Sequence, residues 1–173
     1  VVATWQAPVS APDAVVVAIA PIAGGKIAVG LYPGGVARLS SAGVFERLIE
    51  GVARDIKTNR DRTRLYVAMQ EDGLIELDAA TFSPQRTLAI PGGARAVNLR
   101  TDERRAIVST ADPHAAFNYL VDIESWEIIG TIPRDASEAR FDSRAAWEHD
   151  GRRLFIPFWT ARTAFVDVYF DRS

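Results

Sequence analysis

One pattern of short β-rich segments recurs along the chain, and it constrains the fold more than any other feature. The stretch RLYVAMQEDGLIELDAATFSPQRTLAI, residues 64–90, holds three strand-like runs separated by QEDG and ATFSPQ. Glycine allows positive φ and proline fixes φ, as turns require, so the runs are predicted as consecutive antiparallel strands. The same order returns as ARAVNLRTDERRAIVST with FNYLVDIESWEIIGTIP, and as SRAAWEHDGRRLFIPF with TAFVDVYF.

The spacing of the copies predicts the architecture. Asp13, Arg54 and Arg95 begin copies 41 residues apart, and Arg144 follows 49 residues later. Four strands in a unit of roughly 40 to 45 residues are typical of a β-propeller blade. We therefore predict an all-β fold, a β-propeller of about four blades of four antiparallel strands. A β-sandwich is the alternative, since it also needs many short strands but not a repeating unit.

The predicted blades form one domain, residues 1–173. Their approximate bounds are 8–51, 52–93, 94–142, and 143–173 together with 1–7. The last copy ends at its third strand, and the chain starts with VVATWQAP, which looks like an outer strand. We expect this segment to pair beside TAFVDVYF and close the ring, because closure removes an exposed sheet edge. The alternative is a four-blade part of a larger propeller.

The repeat resembles the YVTN-type β-propeller repeat. The resemblance is carried by RLYVAMQEDGLIELDAATFSPQRTLAI, by RRAIVST with YLVDIESWEIIGTIP, and by HDGRRLFIPF with AFVDVYFD. The name-giving asparagine is absent, since the middle strands read YVAM, IVST and FIPF. The resemblance implies a bacterial protein in the periplasm or outside the cell.

Composition excludes several classes of function. The formal net charge is −2, which provides no overall attraction to nucleic acid or to anionic membranes. No cysteine is present, which excludes disulfides, thiolate metal sites and a cysteine nucleophile. The longest apolar stretch, residues 14–23, is too short to span a bilayer.

Motifs for chemistry are sparse. The sequence contains no phosphate loop, dinucleotide fingerprint, zincin motif or hydrolase elbow, so we predict no catalytic residue, no metal site and no cofactor. His149 lies in a turn that is expected to be solvated. His114 lies in the longest predicted second-to-third strand loop with Asp112 nearby, and a histidine beside a carboxylate can bind a metal or carry a proton, although no second histidine lies near it in the sequence.

Equivalent positions of a propeller converge on its axis, and this predicts a candidate site. Arg54, Arg95 and Arg144 each open an innermost strand, and Asp13 takes the fourth place by spacing. Three guanidinium groups at the channel mouth could hold a carboxylate or a phosphate. The structural alternative is that each arginine pairs with a loop acid, such as Glu71, Asp72 or Asp135.

The opposite face collects arginines in the turns NRDRTR, TDERR and HDGRR. Each turn also carries an acid and none interleaves aromatic residues, so nucleic-acid binding is not predicted. Phe82 and Trp126 fall in third-to-fourth strand turns, where partly exposed aromatics either anchor a protein partner or cap the blade edge.

Two functions of different class follow. The first is a non-enzymatic interaction module that binds a protein partner or an assembly through its loop faces. The second is a ligand-binding or catalytic propeller, lactonase-like or quinoprotein-like, with a small anion at the channel mouth. Its site would use Asp13, Arg54, Arg95, Arg144 and His114.

Overall fold

The computed structural model describes residues 13–110, 112, 117–133, 146–148, 150–159 and 164–170. These ranges hold β-strands and a single short 3-10 turn, Ala23–Gly25. The strands are β1 (Val15–Pro21), β2 (Ile27–Tyr32), β3 (Gly35–Leu39), β4 (Phe45–Ile49), β5 (Ala53–Thr58), β6 (Arg64–Met69), β7 (Gly73–Asp78), β8 (Ser83–Leu88), β9 (Ala94–Leu99), β10 (Arg105–Thr110), β11 (Phe117–Asp122), β12 (Glu127–Pro133), β13 (Ala146–Trp147), β14 (Arg153–Trp159) and β15 (Ala164–Phe170).

The strands form four antiparallel sheets in chain order. Sheets 1, 2 and 3 each have four strands, β1–β4, β5–β8 and β9–β12. Sheet 4 has three strands within the described residues, β13–β15. Within each sheet every strand pairs with its neighbour in sequence, so the predicted all-β fold with repeated antiparallel units is confirmed. The predicted outer strand at residues 1–7 lies outside the described residues.

The sheets pack face to face. One apolar cluster fills the space between sheets 1 and 2, with Ile56, Leu65 and Phe82 among its members. A second lies between sheets 2 and 3, and a third, smaller one between sheets 3 and 4. Strand β6 therefore has a buried neighbour on both faces, with Leu65 in the first cluster and Tyr66 in the second. This explains why RLYVAM is nearly continuously apolar.

The innermost strand of sheets 1, 2 and 3 carries a β-bulge at the same place. In sheet 2 the ladder passes from Ala53 to Asp55, which leaves Arg54 outside the regular pairing. The register shifts in the same way around Arg95 in sheet 3 and around Val17 in sheet 1. A bulge adds one residue to one strand of a pair, so it gives a fixed point for comparing the sheets residue by residue.

The strands end at two faces. The loop face carries the second-to-third strand turns and the connections between sheets, whereas the turn face carries the other hairpin turns. On the turn face, Ala23 N donates to the carbonyl of Arg62 in the next sheet at 3.3 Å. Arg60 N in turn donates to the carboxylate of Glu103 in sheet 3. Successive first hairpin turns are therefore linked from sheet 1 to sheet 3.

The third-to-fourth strand turns of sheets 2 and 3 share one design. Thr81 N donates to Oδ1 of Asp78 at 2.7 Å, and Ser125 N donates to Oδ1 of Asp122 at 2.8 Å. These backbone hydrogen bonds hold the pKa of both carboxyls below the usual aspartate value. The last residue of each turn, Phe82 or Trp126, has a φ near +60°.

Candidate functional site

Arg54 lies on the loop face at the start of β5. Its Nε donates to Oε1 of Gln70 at 2.8 Å, and Nη2 donates to the same oxygen. The guanidinium carbon lies 3.9 Å from the ring centre of Tyr32 in sheet 1, a cation–π contact. Among the described residues, neither Glu71 nor Asp72 forms an ion pair with it, so the expected loop-acid pairing is wrong for this arginine. Its positive charge is held by an uncharged amide and an aromatic ring.

The register does not place Asp13 in the position that the sequence spacing predicted. The bulged residue equivalent to Arg54 and Arg95 is Val17, and Asp13 precedes β1 and is exposed. Val17 lies 37 residues before Arg54, because the two turn-face hairpins of sheet 1 are each one residue shorter than those of sheet 2 and the connection from sheet 1 to sheet 2 is two residues shorter than the next connection. Counting residues along the sequence does not reveal this difference in turn length.

Arg95 is half-buried in β9, at the position equivalent to Arg54. Arg144, His114 and the acid Asp135 lie outside the described residues. Arg54 and Arg95 thus lie at the same point of successive innermost strands. The convergence of the predicted site residues on one axis stays a prediction.

A cavity of about 400 Å³ lies between the innermost strands β1 and β5, lined by residues 16–19 and 55–57. Its polar groups come from Asp55 and Lys57, which approach to 3.1 Å. Asp55 Oδ2 also accepts from Val97 N in sheet 3 at 3.2 Å. Sequence reasoning missed Asp55, although it follows Arg54 directly in an innermost strand. It fixes two neighbouring strands and lines the cavity, while Arg54 does neither.

Arg86 joins sheets 2 and 3. Its Nε donates to Oε2 of Glu76 at 2.9 Å, and Nη2 donates to the same oxygen. Nη2 and Nη1 also donate to the carbonyls of Ile123 and Glu124 in sheet 3, at 3.0 and 3.2 Å. The guanidinium carbon lies 4.4 Å from the ring centre of Trp126. We call this set the arginine clamp of sheet 2.

The acid in that clamp is buried, with 4% of Glu76 exposed. A buried carboxylate needs an opposite charge and hydrogen bonds, and Arg86 supplies both. Tyr66 lies beside it: burial raises the pKa of the Tyr66 phenol, and the charge of Glu76 raises it further. The clamp borders a groove of about 690 Å³ on the turn side of sheets 2 and 3.

Arg38 plays the same part between sheets 1 and 2. Its Nη1 donates to the carbonyl of Ala80 at 2.5 Å, and its guanidinium carbon lies 5.5 Å from the ring centre of Phe82. Arg47 adds a hydrogen bond to the carbonyl of Thr81 at 2.7 Å. Arg38 occupies the register position of Glu76, and Arg47 that of Arg86. The arginine that stacks on the aromatic residue of the next sheet therefore comes from β3 in sheet 1 and from β8 in sheet 2.

The interpretation of Phe82 as a partly exposed anchor is wrong, because Phe82 is fully buried. Trp126 packs against the cluster between sheets 2 and 3, and its indole Nε1 is buried. Both residues cap the edge of a sheet beneath an arginine of the preceding sheet. The exposed aromatics that the structure does show on the loop face are Tyr32 and Phe117.

The arginine-rich turns are held by their own acids. Asp61, Asp102 and Asp150 each accept a hydrogen bond at Oδ1 from the backbone N–H two residues later. In the described ranges no three histidine, cysteine, aspartate or glutamate side chains come together as a possible cation site. The described helical content includes nothing long and apolar enough to cross a membrane.

Comparisons with known proteins identify the fold. The chain is similar to Kuenenia stuttgartiensis hydrazine synthase, with a TM-score of 0.75 and 14% identity over 90% of this chain and 46% of the other. It is also similar to a chain of a mitotic checkpoint complex (TM-score 0.65, 16% identity, 88% and 49% covered). A third similar structure is the dihydro-heme d1 dehydrogenase NirN in complex with DHE (TM-score 0.65, 15% identity, 84% and 32% covered).

Hydrazine synthase and NirN are β-propeller proteins, so a β-propeller fold is supported for this chain. The chain spans half or less of the length of each of the three proteins. No protein-family profile matches the sequence, and no curated protein matches it. At this identity the similarity concerns the fold.

Proposed function

We propose that the chain is a non-enzymatic β-propeller module that binds a protein partner, or a subunit of an assembly, through its loop face. The charged side chains of the described sheets mainly hold the fold together, as the arginine clamps and the turn aspartates do. A rigid propeller then offers its connecting loops for recognition.

The observation that carries this proposal is the stack of Arg54 on Tyr32. Its guanidinium is held in place by Gln70 and, within the described residues, forms no ion pair with a carboxylate. Tyr32 remains 37% exposed, and Phe117 is exposed on the same face. Arginine and tyrosine are the residues that most often carry binding energy at protein interfaces. A preorganised arginine loses little side-chain entropy when a partner binds.

The same arginine supports the second candidate, a propeller that binds a small anion at the channel mouth. Nε and Nη2 of Arg54 are used by Gln70, while Nη1 points to no described acceptor. A carboxylate or phosphate could bind there, with Arg95 at the equivalent place in sheet 3. Asp13, Arg144 and His114 belong to this candidate as predicted residues.

The two candidates are separated by site-specific crosslinking. The chain contains no cysteine, so Glu71→Cys and Arg62→Cys each create a single thiol at an exposed turn, on the loop face and on the turn face. A thiol-directed photocrosslinker in cells of the source organism should join one stoichiometric protein to Glu71→Cys and leave Arg62→Cys uncoupled. Equal coupling from both faces, or none from the loop face, contradicts the module.

The anion candidate has its own readout. Citrate or inorganic phosphate should raise the melting temperature of the unaltered chain, and the double variant Arg54→Gln with Arg95→Gln should abolish the increase. A control with Arg152→Gln, on the turn face, should keep it. An increase that survives the double variant contradicts an anion site at these arginines.

The finer architecture belongs to the same proposal. The chain would supply four YVTN-type blades, with residues 1–7 as the outer strand beside β15, either as a ring of its own or as part of a larger one. Deleting residues 1–7 should then expose a sheet edge and promote aggregation. We also propose a periplasmic or extracellular location in a bacterium, which fractionation of source cells would test.

A further inference from the structure

The groove between sheets 2 and 3 on the turn side carries charged groups that the loop-face proposal does not use. Its volume of about 690 Å³ lies in the range of small-molecule sites. Sheet 2 contributes Arg64, Gln85 and the arginine clamp to its lining. The turns of sheet 3 contribute Arg104 and Glu124. We call this space the turn groove.

Arg104 and Glu124 carry opposite charges on neighbouring turns of sheet 3. Ile123 N donates to the carbonyl of Arg104 at 2.9 Å, which sets the two turns side by side. Both residues are exposed. Their hydrogen bonds come from the backbone, through Arg104 N and the carbonyl of Glu124, and among the described residues neither side chain forms a hydrogen bond or an ion pair. Sheet 3 thus presents an unused cation and an unused anion to the groove.

Arg64 adds a second cation from the start of β6. Its Nη1 lies 3.6 Å from Oε1 of Glu76, and 53% of its side chain is exposed. Glu76 already accepts two hydrogen bonds from Arg86 at Oε2, so one buried carboxylate serves two guanidinium groups. The other acids of the lining from β7 and the first turn of sheet 3, Asp78 and Glu103, accept backbone N–H groups. Arg64 therefore remains incompletely neutralised.

The turns of sheet 2 show that the fold does not need the charges of Arg104 and Glu124. Ala79 N donates to the carbonyl of Thr63 at 2.8 Å, as the equivalent groups of sheet 3 do. Thr63 therefore takes the place of Arg104, and Ala80 takes that of Glu124. Neither residue is charged, yet the backbone hydrogen bonds of the two turns are the same. The charged pair of sheet 3 is thus an addition to a turn that forms without it.

Sheet 1 differs from sheet 2 at the position that faces the cation. By register, Lys26 takes the position of Arg64, and Glu46 takes that of Gln85. Lys26 Nζ lies 3.0 Å from Oε2 of Glu46. Gln85 has no charge, and its Nε2 donates to Oγ of Ser83 at 3.2 Å. Sheet 1 therefore supplies its cation with a carboxylate on the outer strand, whereas sheet 2 leaves that place to a carboxylate from another molecule.

We propose that the turn groove binds a small zwitterion of the amino-acid class. Its carboxylate binds Arg64 and Arg104, because guanidinium groups hold carboxylates through paired N–H donors. Its ammonium group binds the free carboxylate of Glu124. The same carboxylate repels ligands with an excess of negative charge, such as phosphate, so this site selects a different ligand from the anion candidate at the loop face. The proposal does not depend on the partner of the loop face.

The test is a titration of the isotope-labelled full chain with each standard L-amino acid, followed by the backbone amide signals of Arg104 and Glu124 in two-dimensional NMR. At least one amino acid should shift these signals, and its carboxamide and its N-acetyl derivative, which each lack one charge, should bind about tenfold more weakly. Arg104→Gln should weaken binding by a similar factor. Arg152→Gln is the matched control, since Arg152 takes the place of Arg104 in the turn of sheet 4, and it should keep the affinity.

Glu124→Gln separates a zwitterion site from a plain anion site. It should weaken binding of the amino acid and bring the N-acetyl derivative level with it. The proposal is overturned if no amino acid shifts the signals, if the shifts survive Arg104→Gln or Glu124→Gln unchanged, or if the unaltered chain binds the N-acetyl derivative as tightly as the amino acid. That last comparison needs no substitution, so it holds even where a variant fails to fold. Crosslinking at Glu71→Cys reports on the proposed function independently of all these results.

Discussion

The contact between sheets 2 and 3 differs in kind from the contact between sheets 3 and 4. The first has a large apolar cluster, a buried acid and the arginine clamp that reaches from Arg86 to Trp126. In sheet 3 the residues at the positions of Glu76 and Arg86 are Leu120 and Gly130. Its described contact with sheet 4 includes a small apolar cluster, a hydrogen bond from Trp147 Nε1 to the carbonyl of Asn98 at 3.3 Å, and a cation–π contact in which the Arg100 guanidinium carbon lies 5.9 Å from the Trp147 ring centre.

Both contacts leave buried polar groups without a hydrogen-bond partner in the described structure: Nε1 of Trp126 between sheets 2 and 3, and side-chain amides of sheet 3 beside sheet 4. Asn118 is fully buried, and neither its Oδ1 nor its Nδ2 has a hydrogen-bond partner within the described structure; the same holds for Nδ2 of Asn98. Unpaired buried amides reduce stability. The comparison teaches that, within the described residues, sheets of one backbone design are joined by different sets of polar contacts.

The largest effect is expected from Arg86→Met. The change removes the main partner of buried Glu76 and leaves Arg64, 3.6 Å away, as its remaining cation. Breaking a buried pair in this way should lower the free energy of unfolding by about 3 kcal/mol, measured by urea denaturation. Combining it with Glu76→Leu should restore most of the loss, and a double variant as unstable as the single one would show that the charge pair is not the cause.

A smaller loss is expected from Arg38→Met, between sheets 1 and 2. Arg38 lies 2.9 Å from Glu46, whose side chain is 26% exposed and can be hydrated when the arginine is absent. Arg47 also keeps its bond to the next sheet. We expect a loss of about 1–2 kcal/mol in the same urea experiment. A loss equal to that of Arg86→Met would show that the arginine contacts of sheets 1 and 2 do not differ in strength.

Acid should weaken the third-to-fourth strand turns of sheets 2 and 3. The pKa values of Asp78 and Asp122 are lowered in the folded chain by backbone N–H donors, so their stabilisation is complete above the unfolded value near 3.8 and is lost as the pH falls through the folded value. Asp78→Asn with Asp122→Asn should remove under about 1 kcal/mol each at pH 7, since both side chains reach solvent. The double variant should also lose less stability than the unaltered chain between pH 5 and pH 2 in urea titrations; an identical acid response would contradict this.

The smallest effect is expected from Arg153→Gln in sheet 4. Arg153 lies 3.3 Å from Glu148, and both side chains are well exposed. Exposed pairs of this kind contribute about 0.5 kcal/mol or less, so thermal and urea unfolding should hardly change. A loss above 1 kcal/mol would show that sheet 4 depends on charge pairs as sheet 2 does.

The repeat predicted most of the described fold from the sequence. Period, turn residues and apolar middle strands identified the sheets, because a strand with buried neighbours on both faces must be apolar throughout, as RLYVAM is. The spacing failed where loop lengths change, and it put Asp13 in the place of Val17.

The candidate site was less predictable. The sequence placed Arg54 and Arg95 at equivalent points of innermost strands, but it could not show that Gln70 and Tyr32 hold Arg54. Arg86 and Phe82 looked like surface residues in a polar segment. Their roles depend on contacts with residues 37 or more positions away, and a partner in the neighbouring sheet leaves no local pattern in the sequence.

The bulge in the innermost strands has a further consequence for how such a chain can change. A residue inside a strand ladder packs against its cross-strand neighbours on one face of the sheet, so its replacement is constrained by those contacts. Val17, Arg54 and Arg95 lie outside that ladder, which is why an aliphatic and two cationic side chains occupy one structural position without altering the pairing around them. Sheets 1, 2 and 3 thereby each contain one position in the innermost strand whose chemistry can vary independently of its folding. A binding specificity could be exchanged there by single substitutions.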